Sequence, residues 1–315
     1  MKFGVLFSGQ GAQKAGMGCD FLADPLFKET IAEASEAARL DLVQVFKSEH
    51  GELDQTKYVQ PALVAFEAAL WKLIERDADL DVAGMAGLSL GEYGALLASG
   101  ALAWPAGIAL VASRGEYMQA DSDRVASTMA ALLKPDLAKL EAAVKRDQAA
   151  GWQVYVCNYN SPKQVVVGGS RQDLPKLLNQ VAEEQLAKRA IELNVAGAFH
   201  TPLYQNSAKK LHDRLKGVEF RDPAVPVVSN TLAAPFAGER LAEVLEVQLA
   251  QPTHFDACVK YLLDQAKIEA TLEVGPGQTL TKFAKAQKRD LKQFSVGTWP
   301  EYEKFVEAAN NGFAE

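Results

Sequence analysis

The sequence predicts an α/β fold in which a large domain on a parallel sheet carries a smaller inserted β-α-β-β-α-β unit. Three observations lead there. Short apolar runs at residues 3–7, 81–86, 225–229, 270–274 and 294–297 are separated by helical patterns, the alternation expected of parallel strands joined by crossover helices. The middle of the chain has a different order, with strand patterns at 128–133, 152–158, 164–168 and 187–195 and helical patterns at 135–149 and 174–184. The third is the segment Gly87-Leu88-Ser89-Leu90-Gly91, which follows the strand pattern at 81–86 and precedes the helical run that starts at Glu92. Strand, serine and helix in that order form a nucleophile elbow, a turn so tight that glycine is needed two residues either side of the projecting serine.

The elbow makes the large domain α/β-hydrolase-like, spanning 1–125 and 197–315, and the middle order makes 126–196 a ferredoxin-like insertion. A cleft between an inserted unit and its host is a common substrate site. The chain of 315 residues is 48% hydrophobic and 23% charged, the balance of a globular protein rather than a disordered one. Its 33 Lys+Arg against 40 Asp+Glu give a net charge of −7, which argues against a general nucleic-acid binder. The first apolar stretch is too short for a secretory signal and no later run reaches membrane-spanning length, so a cytoplasmic protein is expected, with no membrane partner. Cys19, Cys157 and Cys258 lie far apart without metal-ligand or disulfide spacing and read as reduced, buried thiols; no metal site is visible.

A serine hydroxyl is a weak nucleophile and needs a base, most often histidine. Of the four histidines, His50 lies in a polar loop and His212 on an amphipathic helix. His200, in Ala198-Phe199-His200-Thr201-Pro202, is favoured because it falls at the return from the insertion, just before a proline-marked helix start; His254 is the reserve. The loop Gly9-Gln10-Gly11 after the first strand lacks the third glycine of a dinucleotide fingerprint and the lysine–serine pair of a P-loop. It better suits an oxyanion hole, the Gln10 N–H joining that of Leu90, the residue after the nucleophile. Arg114 reads on periodicity as a surface residue; facing the cleft, its fork would grip a carboxylate.

These segments, with Arg114-Gly115-Glu116-Tyr117-Met118-Gln119, Asn158-Tyr159-Asn160-Ser161-Pro162, Val228-Ser229-Asn230, Gln248-Leu249 and Glu273-Val274-Gly275-Pro276-Gly277, resemble the malonyl-CoA:acyl carrier protein transacylase family over nearly the whole chain. The resemblance implies that Ser89 accepts a malonyl group from malonyl-CoA as an ester and that His200 serves as base and then acid. It also implies that Arg114 binds the free carboxylate, that the main-chain carbonyl of Gln248 orients His200, and that Gln10 and Leu90 supply the oxyanion donors. Phe199 then leaves little room for an α-methyl branch. The implied partner is an acyl carrier protein whose phosphopantetheine thiol takes the acyl group, with CoA thioester as substrate and no bound cofactor. A monomer is implied as well. Carriers of this kind are acidic, so Lys188 with Arg189, Lys209 with Lys210, and the run Lys282, Lys285, Lys288, Arg289 and Lys292 are docking candidates. The family's usual histidine before the nucleophile and proline before the first glycine are Leu88 and Ser8 here, which bears on substrate choice rather than reaction class. An acyl-thioester hydrolase that clears misloaded carriers is the alternative, though it would leave Arg114 without a purpose.

Overall fold

The computed structural model describes residues 1–313. The chain opens with strand β1 (Lys2–Phe7), whose last five residues are all buried. Helices α1 (Pro25–Ala38), α2 (Leu42–Lys47) and α3 (Thr56–Asp77) follow. The Asp24 carboxylate accepts from the N–H groups of Leu26 and Phe27, and Pro25 occupies the first helical turn, where its missing N–H costs nothing. Strand β2 (Asp81–Gly87) then leads through the elbow into α4 (Gly91–Ala98) and α5 (Trp104–Arg124).

The middle segment runs β3 (Ser127–Pro135), α6 (Leu137–Ala149), β4 (Val154–Ser161), β5 (Gln164–Ser170), α7 (Leu174–Glu183) and β6 (Ala187–Leu193). After it come α8 (Gln205–Leu215), β7 (Val227–Val228), α9 (Leu241–Gln248), β8 (Thr253–His254), α10 (Phe255–Asp264), β9 (Ala270–Val274), α11 (Thr279–Gln287), β10 (Lys292–Val296) and α12 (Trp299–Asn310).

Two sheets result. The first, ordered β10-β9-β1-β2-β7, is parallel throughout. Its register sets Phe7 opposite Gly87, so the loop after β1 and the elbow after β2 leave the sheet side by side. In open α/β sheets ligands bind beyond the carboxyl ends of the strands, which is where both segments emerge. The expected strand at 225–229 shrinks to Val227–Val228, because Ser229 and Asn230 turn away to bond Ala234 and His254 instead of the sheet.

The second sheet is ordered β6-β3-β5-β4-β8, the β3–β6 pairs being antiparallel as in a ferredoxin-like unit. Thr253–His254 adds a short parallel strand at its β4 edge, a contribution from outside the segment that sequence reading did not foresee. Alternation divides its faces: Ala130, Leu132, Val165 and Val167 pack under α6 and α7, while Met129, Ala131 and Val166 join the main core. A bulge in β4 between Val156 and Asn158 breaks the period. It carries Asn158 and Asn160 to the side where Met129 and Val166 line a cleft with Ser89. Cys157 and Cys258 are buried as expected, whereas Cys19 is only partly covered.

Candidate active site

The elbow is held by close approach and by one asparagine. Side chains at Gly87 or Gly91 would collide with the Gly91 carbonyl or with Phe7, so only glycine allows the turn to press on β1. Ser89 sits at φ 54°, a left-handed conformation that costs a non-glycine residue energy and persists only where the surroundings fix it. Asn230 does the fixing: its Oδ1 accepts from the Ser89 N–H at 2.8 Å and its Nδ2 donates to the Gly87 carbonyl at 2.7 Å. A glycine at position 9 is needed for the same kind of reason, since a Cβ there would meet the Leu88 carbonyl at 2.5 Å. The first loop therefore lies directly against the elbow.

His200 lies across the cleft, itself at φ 62°, with its loop fastened by Ala198 N–H to Ser127 Oγ at 3.0 Å and Thr201 Oγ1 to Ala198 O at 2.7 Å. Its Nε2 is 2.7 Å from Ser89 Oγ and its Nδ1 is 2.9 Å from the Gln248 carbonyl oxygen. Gln248 is the last residue of α9, where carbonyls lack an intrahelical partner, so its oxygen is free to accept. A carbonyl can only accept, so the neutral ring carries its proton on Nδ1 and presents Nε2 as the acceptor for the serine hydroxyl. Burial depresses the His200 pKa to about 4; the Gln248 carbonyl pulls it back up and the Arg114 charge pushes it further down. The imidazole is accordingly neutral near pH 7. His254, the reserve, stacks on Tyr159 at 4.7 Å and is not among the residues lining the cleft.

Arg114 is buried, not on the surface as its periodicity suggests; it is 1% exposed. Its Nη1 donates to Gln60 Oε1 at 2.7 Å, and its Nη2 reaches Gln248 Oε1 at 3.1 Å and Ser89 Oγ at 3.4 Å. The guanidinium lies over the Tyr93 ring, 5.4 Å from its centroid. Burial lowers its pKa, with Tyr93 and Glu92 opposing, yet a guanidinium stays cationic. Among the described residues no carboxylate forms an ion pair with it. A buried cation beside a nucleophile that makes no ion pair with a described carboxylate has the charge and position to receive an anionic group.

Four supporting groups lie beyond those found by sequence reasoning: Asn230, Glu92, Gln60 and the side chain of Gln248. Gln248 Nε2 donates to the Ser89 carbonyl at 3.0 Å and to the Glu92 carboxyl. Glu92 also accepts from the Asn230 N–H. It is fully buried, and burial raises its carboxyl to about 7 against those donors and the Arg114 charge. Gln60, which holds Arg114, also donates to Gln10 Oε1 at 3.2 Å and so links the arginine to the first loop.

Leu90 and Gln10 both line the cleft, and among the described residues neither backbone N–H has a hydrogen-bond acceptor. Leu90 N–H is at the start of α4, where free N–H groups and the helix dipole favour negative charge. Phe199 also lines the cleft, 7% exposed and packed edge-on against Tyr204 at 5.2 Å. The basic candidates lie outside it: Lys188 and Arg189 are exposed on β6, Lys209 and Lys210 on α8, and Lys282, Lys285 and Arg289 border a separate groove with Lys163. No group of residues suited to a metal ion and no helix long and apolar enough to cross a membrane occurs among the described residues.

The chain matches the family described as acyl transferase domain over residues 5–310. It is 33% identical over 298 residues to the malonyl CoA-acyl carrier protein transacylase of Bacillus subtilis, covering 94% of this chain and 93% of that protein. The structure of MCAT from Streptococcus pneumoniae is similar with a TM-score of 0.91 and 36% identity, over 97% of this chain and 99% of that one. A second structure, described as a type II PKS acyl-carrier protein in complex with its malonyl-transacylase, has a TM-score of 0.91 and 32% identity, over 98% and 99% of the two chains. Likeness of this extent, over both sheets and the cleft between them, places the chain in the acyl transferase domain family, among the malonyl-CoA:acyl carrier protein transacylases.

Proposed function

We propose that this protein transfers a malonyl group from malonyl-CoA to the phosphopantetheine thiol of an acyl carrier protein through an ester on Ser89. The observation that carries the malonyl reading is Arg114, a buried cation 3.4 Å from the nucleophile that makes no ion pair among the described residues. A malonyl thioester supplies the missing anion, and a simple acyl group does not.

The chemistry follows from the hydrogen bonds. Ser89 Oγ attacks the thioester carbonyl while His200 Nε2 takes the hydroxyl proton, the ring held by Nδ1–H on the Gln248 carbonyl. The new oxyanion lies between the Leu90 and Gln10 N–H groups. Its collapse breaks the C–S bond, and the imidazolium gives its proton to the departing CoA sulfur. In the second half the carrier's thiol passes its proton to His200 and attacks the ester. A C–S bond forms, the C–O bond to Ser89 breaks, and the serine oxygen recovers the proton. His200 thus alternates as base and acid without a carboxylate partner. Neither half calls for a bound cofactor.

Phe199 forms the wall that would meet an α-branch on the acyl group. An acidic carrier fits the cations outside the cleft, of which Lys163, Lys282, Lys285 and Arg289 make no ion pair among the described residues. The test is partition: protein loaded with malonyl-CoA is chased with holo carrier or with buffer. Loss of the acyl group to the carrier much faster than to water supports transfer. Equal loss in both supports the hydrolase.

A further inference from the structure

Beneath the elbow lies a buried polar group that the chemistry above does not use. Glu67, on α3, is 0% exposed, and among the described residues neither of its carboxyl oxygens meets a donor in good hydrogen-bond geometry, the Ser8 N–H and hydroxyl only lying near it. The buried Ser8 hydroxyl beside it likewise makes no well-formed hydrogen bond among the described residues. Both face the same point: a Cβ added at Gly275, which sits at φ 129°, would lie 2.6 Å from Ser8 Oγ and 2.7 Å from Glu67 Oε1. A Cβ at Gly94 of α4 would lie 3.0 Å from Glu67 Oε2. The carboxyl is therefore wedged between the helix that starts at the elbow, the turn after β9, and the residue two positions before Gln10.

We propose that Glu67 is a positioning residue for the oxyanion loop, its carboxyl clamping Ser8 and thereby setting where the Gln10 N–H points. The proposal rests on the oxyanion role given to Gln10 above. An orphaned carboxylate at this depth is costly, and the charge that bears on it is Glu273 on β9, of the same sign. The Glu273 carboxylate is already committed to Leu280 N–H, Thr281 N–H and the Thr281 hydroxyl. Burial raises the Glu67 carboxyl well above the usual carboxylate range, more than the nearby Ser8 N–H and hydroxyl pull it back. A neutral acid has one O–H to give, and Ser8 Oγ is the adjacent acceptor without a donor. Fixing Ser8 fixes a segment whose Gly9 already presses on Leu88, which leaves Gln10 little freedom to swing.

The experiment is the rate of Ser89 malonylation, followed by quenched intact-mass measurement at neutral pH, for wild type, Glu67→Leu, Glu67→Gln and Ser8→Ala. Glu67→Leu and Ser8→Ala are expected to slow acylation about tenfold, a fraction of the loss when an oxyanion donor is removed outright. The KM for malonyl-CoA should move by less than about twofold, because binding through Arg114 is untouched. Glu67→Gln, whose amide can still donate to Ser8 Oγ, should keep nearly the wild-type rate. Glu67→Leu and Ser8→Ala at the wild-type rate would overturn the proposal, as would Glu67→Gln as slow as Glu67→Leu. If Glu67→Leu fails to fold, Ser8→Ala asks the same question from the other side. A wild type that takes no malonyl group at all would instead remove the acyl-transfer reading beneath it.

Discussion

Gln248 bonds Arg114 and His200 at once: its Oε1 accepts from Arg114 Nη2 at 3.1 Å while its main-chain oxygen lies 2.9 Å from His200 Nδ1. One residue at the end of one helix thus holds both the imidazole that faces Ser89 Oγ and the guanidinium beside it. Replacing Gln248 with alanine leaves the backbone carbonyl and removes only the side chain. The expected result is a larger fall in malonyl use than in the reactivity of Ser89 toward a small uncharged acylating reagent, the difference being about 2 kcal/mol, the cost of losing a charge-assisted hydrogen bond. Acylation rates with the two reagents check this, and an equal fall in both would contradict the division of labour.

Arg114→Ala should weaken malonyl transfer by about 2–4 kcal/mol while sparing or raising use of acetyl-CoA. The ratio of the two kcat/KM values is the readout. A ratio that stays at the wild-type value would show that the arginine does not grip the carboxylate.

The acid limb of the acylation profile should lie near the His200 value of about 4 rather than at the ordinary histidine value of 6.5. Above the depressed value the ring is the free base, so the rate should hold as pH falls through 6.5 and drop only near the lower figure. Because the Arg114 charge contributes to the depression, Arg114→Ala should move this limb upward. Profiles of kcat/KM for the two proteins test both statements.

Glu92 links the elbow to stability. Its carboxyl is raised from 4.5 to about 7, so between those values the folded protein holds a proton that the unfolded chain has released. Its contribution therefore falls as pH rises through that window, on the order of 3 kcal/mol in all. His200 acts in the opposite sense between about 4 and 6.5, since there the unfolded chain binds the extra proton. Chemical denaturation of wild type and Glu92→Gln across the window separates the two, and only the variant should gain stability steadily as pH rises toward 6.5.

Much of the site was legible because glycines and a serine in fixed order carry their own geometry. The elbow, the glycine-rich loop and His200 before Thr201-Pro202 are local patterns, and the ferredoxin-like order is legible from alternating strands and helices. The buried polar network was not. Asn230 reaches Ser89 across 141 positions and Gln248 reaches Glu92 across 156, and each alone is an ordinary polar residue on a loop or helix. Periodicity set Arg114 on the surface because it scores a charge as exposed, whereas hydrogen bonds to Gln60 and Gln248 make burial tolerable. The strand at 225–229 was overestimated because nothing local signals that Asn230 must leave the sheet to hold the elbow.

Ser89 pays for its reach with backbone strain at φ 54°. Ser89→Gly should therefore unfold at higher temperature than Ser89→Ala, by about 1 kcal/mol at equal loss of the hydroxyl, since glycine adopts that conformation freely. Thermal unfolding of the two inactive variants decides it, and equal stability would mean that the turn is not strained.

The most direct test of the account is intact-mass measurement of the wild type and Ser89→Ala after mixing with malonyl-CoA, with the modified peptide then located. The account predicts one malonyl adduct on the peptide containing Ser89, none in the variant, and discharge to a holo acyl carrier protein. An adduct that persists in Ser89→Ala, or none in the wild type, would contradict it.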